Sequence, residues 1–228
     1  MQKLVNAYNF FFGYSNFMEK DKKKSKSRIE DIRRGELIAA AYRIFMLHGL
    51  KGLTTTRICN EAGMSQGILT YYFKNKNEVL FEMVRMANRH LMDDVVSRLK
   101  TAKTRWERII AIIEGNFPSN RFDRNTANAW VSFYAEAAHN ARYQRLQRLF
   151  YKRLRSNLAS AVGPNLKGDQ FEWFVLGFAT LLDGIWLRCS HSENEVTSED
   201  AVKLLTNYVS SSLETEMVRE LKSECVQI

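Results

Sequence analysis

The chain has 228 residues, of which 45% are apolar, with a formal net charge of +9 and a pI near 9.5. This length and apolar content suffice for a packed core in one large domain or two small ones, which excludes an unfolded or fibrous chain. The three cysteines lie far apart and form no Cys-x-x-Cys pair, which argues against a disulfide framework and fits a reducing cytoplasm.

Helical patterning dominates the chain. With only 2 prolines and 11 glycines, and with apolar residues recurring at helical spacing, the sequence predicts an all-α fold. The longest apolar run in the body, 173–182, is too short to span a bilayer, so we expect no transmembrane segment. Residues 1–80 hold 14 Lys and Arg against 7 Asp and Glu, so the positive charge is concentrated there. A part that binds nucleic acid has such an excess, although a basic soluble surface would show it equally.

Residues 1–26 combine an aromatic, Asn-rich piece with a Lys-rich piece and have no helical or strand periodicity. We expect a disordered basic arm; an arm that follows the minor groove or phosphates of DNA, and a true start at Met18, are the alternatives. The segment has no basic cluster before its uncharged part and no small-residue cleavage site after it, so it does not resemble a signal peptide.

The stretch 54–76 is typical of two short helices joined by a tight turn. Thr54 is predicted to cap the first helix, Gly63 to end it with a positive φ, and Ser65 to cap the second. An amphipathic helix from Ser27 to the stop at Gly49 would precede them and complete a small core. This spacing is that of a helix-turn-helix DNA-binding domain at 27–75.

The second of these short helices would present its side chains to a groove of DNA. Gln66 and Thr70 are candidate base readers, and Tyr71 is either a reader or a phosphate clamp. Thr55 and Thr56 would contribute from the preceding helix. Arg33 and Arg34, near the start of the first helix, are placed for phosphate contacts, and Gly67 completes the exposed face. These roles are hypotheses that rest on the position of each residue in the motif.

The body that follows is predicted to be a series of helices. A long fourth helix would begin at an Asn77 cap and link the head rigidly to the rest. The eighth is apolar on nearly every side and must be covered on every side. With the ninth it would form a four-helix interface with a second copy, unless the two complete a monomeric core. The later helices are predicted at 106–117, 126–139, 142–162, 170–190 and from a cap at Ser198, with a tail at 215–228.

Sequence signatures of catalysis are not found. The four histidines sit in separate segments, and none has a carboxylate or cysteine at metal-ligand spacing. No phosphate-binding glycine loop or dinucleotide fingerprint occurs. The sequence therefore predicts a protein that is not an enzyme and has no metal site or cofactor.

The head resembles the tetracycline-repressor (TetR) family of bacterial regulators. The resemblance implies a three-helix head, a connector helix, a ligand-binding and dimerisation domain at 76–214, and phosphate contacts from Tyr72 and Lys76. Thr70 stands where many members have tyrosine, and Cys59 replaces a usual alanine. The matching residues are Gly49, Thr54, Ile58, Ala62, Gly63, Ser65, Gly67, Tyr72, Phe73, Lys76 and Leu80. The full set of candidate DNA-binding residues is Arg33, Arg34, Thr54, Thr55, Thr56, Ser65, Gln66, Gly67, Thr70, Tyr71, Tyr72 and Lys76.

The second half resembles the choline-responsive repressors of glycine-betaine synthesis. The similarity extends over about 32–208 and implies a homodimeric repressor that choline releases from a palindromic operator in double-stranded DNA. A regulator of another cationic or apolar compound, such as a drug-efflux repressor, and a sequence-independent architectural DNA binder are the alternatives. The matching pieces are Gly115-Asn116-Phe117, Ala129-Trp130 with Phe133, Tyr143 with Arg145-Leu146-Gln147, Arg153-Leu154 with Ser156-Asn157-Leu158, and 182–188.

A ligand site for choline can be argued from the residues themselves. A quaternary ammonium has no N–H to donate, so aromatic faces and a nearby carboxylate hold it. The carboxylate would be Asp183 or Glu136, although Arg188 could neutralise Asp183 instead. Each aromatic residue could equally be ordinary core. The candidate ligand-binding residues are Trp130, Phe133, Tyr134, Trp173, Asp183 and Trp186.

Overall fold

The computed structural model describes residues 24–163, 165–191 and 196–225. These residues form ten helices and no strand, which confirms the all-α prediction. They divide into two compact units, one that ends at Glu36 and one that begins at Leu37. Most of the arm predicted at 1–26 lies outside the described residues, but its last three residues belong to the first helix, which begins at Lys24.

Three helices form the head: α1 (Lys24–Gly52), α2 (Thr55–Ala62) and α3 (Gln66–Tyr72). Within α1, Gly49 has φ +62° and interrupts the helical backbone, at the residue where the sequence predicted a stop. A glycine tolerates this left-handed φ without a steric penalty.

The turn between α2 and α3 has the predicted residues in the predicted positions, but one predicted capping hydrogen bond is not formed. The Thr54 side chain accepts a hydrogen bond from the Arg57 backbone N–H at 3.3 Å, and Gly63 has φ +63°. Ser65 occupies the cap position of α3 with an extended backbone, but its side chain accepts no capping bond, so that part of the prediction was wrong. The turn is therefore held by Thr54, by Gly63 and by packing.

Seven further helices form the body. Two caps differ from those predicted: Asn75 rather than Asn77 caps α4, and Thr197 rather than Ser198 caps α9 in a capping box with Asp200. In both cases the side-chain oxygen of a residue that precedes the predicted cap accepts a hydrogen bond from the backbone N–H three residues further along the chain. The helices are α4 (Lys76–Leu99), α5 (Arg105–Asn116), α6 (Arg124–Ala137), α7 (Ala141–Val162), α8 (Gly168–His191), α9 (Ser198–Ser212) and α10 (Thr215–Ser223).

The helix α10 lies where the sequence predicted a tail, so that prediction was wrong. Leu221 is fully buried in the core of the body. An ion pair from Arg105 Nε to Glu224 Oε2 (2.5 Å) and a backbone bridge between Thr104 and Cys225 hold the end of the chain against the start of α5. The segment is short and its amphipathic pattern includes few apolar residues, so the sequence did not indicate a helix that packs against the core.

Two apolar clusters form the core of the second unit. One lies in the body around α5 and α8. The other is the core of the head, and it also includes Phe133, Ala137 and Tyr143 from α6 and α7. The head core from Leu37 onward therefore continues into the body, so a change in α6 or α7 can reach the head through packed side chains.

Among the described residues, α8 is the one helix that is long and apolar enough to cross a membrane by length and composition. The apolar run at 173–182 covers only part of this helix, and from that run alone the sequence predicted no transmembrane segment. Phe174, Phe178, Leu182 and Trp186 are buried in the protein core, as expected of the central helix of a helical domain.

Candidate functional site

The recognition helix α3 exposes one face and buries the other. Leu69 is buried in the head core, whereas Gln66, Gly67 and Thr70 are exposed and Tyr71 is 69% exposed. A helix of this kind, anchored by its apolar side, can enter the major groove with its polar side. The exposed residues are those that the sequence analysis assigned to DNA.

Hydrogen bonds orient two of the candidate base readers. The Gln66 side-chain amide donates to Thr56 Oγ1 at 3.0 Å, which joins α3 to α2. The Thr70 hydroxyl donates to the Gly67 carbonyl at 3.0 Å, so its proton is engaged within the helix. Thr70 can therefore meet a base by accepting a hydrogen bond or by presenting its methyl group, for example to thymine.

Gly67 leaves an open space on the exposed face of α3. A Cβ atom added there would meet only Ser65 Oγ, at 3.7 Å, so no protein contact requires glycine at this position. Its backbone φ is also not in the left-handed region. A glycine at this position leaves room for another molecule to approach the helix backbone closely.

The start of the connector helix α4 is fixed by two reciprocal bonds. The Asn75 side chain accepts from the Glu78 backbone N–H at 3.1 Å, and the Glu78 carboxylate accepts from the Lys74 backbone N–H at 2.8 Å. Lys76 therefore begins a well-capped helix with its side chain exposed.

The remaining DNA-binding candidates differ in exposure. Thr54 is exposed, whereas Thr55 and Tyr72 are half-buried. In the first unit, Arg33 is exposed and pairs with Glu36 at 3.1 Å, and Arg34 is half-buried.

Three of the six predicted ligand residues line one cavity in the second unit. Trp130 and Phe133 come from α6, and Trp186 comes from α8; the Trp130 ring centroid lies 5.9 Å from that of Phe133 and 6.5 Å from that of Trp186. The volume of this cavity that the centre of a water molecule can occupy is about 50 Å³. The lining residues are Tyr42, Phe45, Met83, Val84, Ala87, His90, Leu91, Pro118, Arg121, Thr126, Ala129, Trp130, Phe133 and Trp186.

The head contributes directly to this cavity. Tyr42 and Phe45 belong to α1, and five further lining residues belong to the connector α4. Sequence reasoning missed them because both helices read as plain core and connector, and nothing in their spacing indicates a cavity. A molecule in this cavity would contact the head, the connector and the body together.

The ionisable side chains in the cavity lining are Tyr42, His90 and Arg121. Burial raises the pKa of the Tyr42 hydroxyl, and burial followed by the charge of Arg121 lowers the pKa of His90. Burial lowers the pKa of Arg121 as well, but a guanidinium remains charged at neutral pH. Arg121 forms an ion pair with Asp94, which is not a lining residue. The cavity lining thus contains a cation and no carboxylate.

The predicted carboxylate is held elsewhere. Asp183 accepts hydrogen bonds from the hydroxyls of Tyr134, at 2.9 Å, and Tyr151. Burial raises the pKa of Asp183, and the two tyrosine bonds act in the opposite direction. No ion pair between Arg188 and Asp183 is found among the described residues, so the tyrosines rather than the arginine satisfy this carboxylate.

The six-residue cage is therefore not assembled as predicted. Tyr134 and Asp183 form their own cluster, Glu136 is exposed, and Trp173 is 71% exposed on the outer side of α8. Trp173 and Trp186 are about 140° apart around the helix, so they face different sides. In the described part of the chain, no group of three or more His, Cys, Asp or Glu residues is placed to hold a metal ion.

Comparison with known proteins supports both halves of the fold. Residues 37–83 match the family model "Bacterial regulatory proteins, tetR family", and residues 105–214 match "BetI-type transcriptional repressor, C-terminal". An "HTH-type transcriptional regulator BetI" of Vibrio atlanticus is 33% identical over 190 residues, which cover 82% of this chain and 95% of the relative. The chain belongs to the TetR family of transcriptional regulators. A BetI of Cronobacter sakazakii is 35% identical over 82% of this chain and 94% of its own length.

Solved TetR-type structures share the fold at low sequence identity. A regulator from Saccharomonospora viridis in complex with choline superposes with a TM-score of 0.69 at 17% identity, over 87% of this chain and all of that one. The multidrug binding protein EbrR, complexed with malachite green, has a TM-score of 0.58 at 20% identity, over 77% of this chain and 97% of its own. TetR-family regulators bind DNA and small-molecule effectors and act as dimers, and they are not enzymes.

Proposed function

We propose that this TetR-family regulator is a cytoplasmic repressor of glycine-betaine synthesis genes, and that a small quaternary ammonium compound, choline first, releases it from a palindromic operator. The observation that carries the proposal is the aromatic cavity between Trp130, Phe133 and Trp186, because such faces attract a quaternary ammonium. Relatives named BetI, which align over 82% of this chain, support the choice of genes.

DNA recognition in this proposal is divided between two kinds of contact. Gln66, Thr70 and Tyr71 would read base edges in the major groove from the exposed face of α3. Tyr72, Lys76 and the two threonines of α2, Thr55 and Thr56, would hold phosphates and fix the register. Arg33 and Arg34 would add phosphate contacts from the first unit.

The cavity gives the effector a direct route to the head. Its lining includes Tyr42 and Phe45 of α1, and the connector α4 supplies another wall. In a dimer, the two heads must meet successive major grooves about 34 Å apart. An effector that binds best when α1 and α4 are shifted would favour a wrong spacing and release the DNA.

The dimer surface is proposed on α8 and α9. Trp173, Leu176 and Leu187 of α8 and Leu204 of α9 are large apolar residues that are about half or more exposed. Apolar side chains at such positions are stabilised when a second copy covers them. Two helices from each protomer would then form a four-helix interface.

An electrophoretic mobility shift on betaine-synthesis promoter DNA tests the proposed function. The protein should retard that DNA at a concentration that leaves an unrelated promoter unbound, and choline should reverse the shift. If the protein binds the promoter and responds to bulky lipophilic cations but not to choline, its effector is another cationic compound. Equal affinity for both DNAs at fixed salt would instead indicate a sequence-independent DNA binder.

A further inference from the structure

We propose that α3 selects A·T base pairs, and that Ile68 and Thr70 recognise thymine through its methyl group. This inference rests on the proposed function only in the base-reading role given there to α3, and it adds Ile68 to the residues that read DNA. It does not depend on the regulated genes or on the effector. Its basis is the set of chemical groups that α3 exposes.

The helix α3 contains no charged side chain. Its seven residues, Gln66–Tyr72, include no Lys, Arg, Asp or Glu. Arg and Lys are the side chains that commonly read guanine, and Asp and Glu accept a hydrogen bond from cytosine. The groups that α3 does expose fit an A·T pair instead. The amide of Gln66 can bind adenine, and apolar groups can contact the methyl group that distinguishes thymine in the major groove.

Thr70 presents its methyl group rather than its hydroxyl proton. The hydroxyl oxygen lies 3.0 Å from the Gly67 carbonyl oxygen and 3.3 Å from the Gln66 carbonyl oxygen, so its proton is donated to the helix backbone. The side chain itself is exposed. A base that meets Thr70 therefore finds a methyl group and an oxygen that can only accept. Of the four bases, thymine alone has a methyl group to place against it.

Ile68 is the aliphatic residue of α3 that remains partly outside the head core. It is 37% exposed, whereas its neighbour Leu69 is 1% exposed. An isoleucine side chain forms no hydrogen bond, so it gains most by burying its exposed surface against another apolar group. In the major groove, that apolar group is the methyl group of thymine.

Gly67 separates the two apolar contacts. Successive residues of an α-helix are about 100° apart, so Ile68 and Thr70 lie about 160° apart, with Gly67 between them. A Cβ atom added at Gly67 would meet only Ser65 Oγ, at 3.7 Å, so the helix backbone can come close to DNA there. Ile68 and Thr70 therefore flank the point of close approach. We expect them to contact thymines at two different positions of the half-site.

A set of uracil-substituted operators tests the inference. The full-length protein first selects its operator from a library of random duplexes, and uracil, which lacks only the methyl group, then replaces each thymine singly. We expect A·T pairs at the positions whose preference changes in Gln66, Ile68 or Thr70 variants. Fluorescence anisotropy should show a loss of affinity of about fourfold at each contacted thymine, the value of one buried methyl group. Selection of G·C pairs at those positions, or no loss with uracil at any thymine, overturns the inference.

Three variants assign the contacts. Thr70→Ser keeps the hydroxyl and removes the methyl group, so the difference between thymine and uracil should vanish at one position. Ile68→Ala should abolish it at another position, and each variant is the matched control for the other. Thr70→Val keeps a methyl group without the hydroxyl and should respond to uracil as the wild type does.

Comparison among the variants also removes effects of uracil on the duplex itself, because every variant meets the same DNA. Both residues are exposed, so we expect all three variants to fold, which thermal unfolding checks. If Thr70→Ser and Ile68→Ala keep the wild-type difference between thymine and uracil at every position, the inference is overturned. The uracil scan of the wild type remains decisive if a variant does not fold.

The outcome is distinguishable from that of the proposed function. An operator that responds to uracil as expected but is not released by choline supports the thymine contacts and overturns the choline effector. An operator that is released by choline but is insensitive to uracil does the reverse. If the library yields no preferred sequence, DNA binding is independent of sequence and both proposals are overturned.

Discussion

Gln66 and Lys76 lie ten residues apart in the DNA-binding stretch, yet we expect them to serve different purposes. Gln66 is held by Thr56 on the exposed face of α3, where a base edge would meet it. Gln66→Ala should therefore alter the preference at one base-pair position by about 1 to 3 kcal/mol. Lys76→Ala should weaken binding to all sequences alike and reduce the salt slope by about one.

Fluorescence anisotropy with a set of singly substituted operators, each titrated at several salt concentrations, separates these two effects. Thr56→Ala provides a second check, because it removes the group that orients Gln66 without touching the glutamine itself. If Gln66→Ala and Lys76→Ala change affinity in the same uniform way, the division into base and phosphate contacts is wrong.

Gly67 gives a sharper test, because protein stability and DNA affinity should change in opposite directions. The space around its missing Cβ is open, so Gly67→Ala should leave the fold intact and stabilise α3 by up to about 1 kcal/mol. The added methyl group would stand between the helix and the groove, so affinity for operator DNA should fall. Thermal unfolding and anisotropy on the same preparation measure the two quantities. Unchanged DNA affinity would show that the backbone at residue 67 does not approach DNA closely.

At the scale of the element, α10 should behave as part of the core rather than as a tail. Leu221 is fully buried, so Leu221→Ala should lower the free energy of unfolding by about 2 to 5 kcal/mol. Glu216→Ala, on the exposed side of the same helix, should change it by less than about 0.5 kcal/mol. Urea denaturation followed by circular dichroism compares the two. Equal, small effects would mean that the body folds without α10.

The elements also show what local sequence can predict. Gly49 and Gly63 were expected to interrupt helices, and both have a φ near +62°. The Asn77 and Ser198 caps were misplaced by one or two residues, because Asn75 and Thr197 are also cap-forming residues and only the backbone path decides between them. Capping residues thus mark the region of a helix start, not its first residue.

For the whole molecule, the exposed apolar face of α8 and α9 should decide the oligomeric state. Leu187→Glu places a charge where the second copy would pack, so the dimer should dissociate and operator binding should weaken together with it. Leu149→Glu, on the exposed side of α7, is the matched control and should leave the dimer intact. Sedimentation velocity over a range of concentrations checks both. A dimer that survives Leu187→Glu and dissociates with Leu149→Glu would place the interface on α7.

The sequence by itself determined the helical fold, the helix-turn-helix and the exposed and buried faces of α3, because these depend on periodicity and on turn residues close together in the chain. It also named Trp130, Phe133 and Trp186 as ligand-site candidates, from residue type and a family resemblance. Only the tertiary structure decided which groups meet. Tyr42 and Arg121 line one cavity although 79 positions separate them in the chain. Asp183, which was expected in the ligand site, instead accepts hydrogen bonds from Tyr134 and Tyr151. Helical spacing fixes the side of a helix on which a residue lies, but not the helix that packs against it, and that packing decides the charge of the cavity.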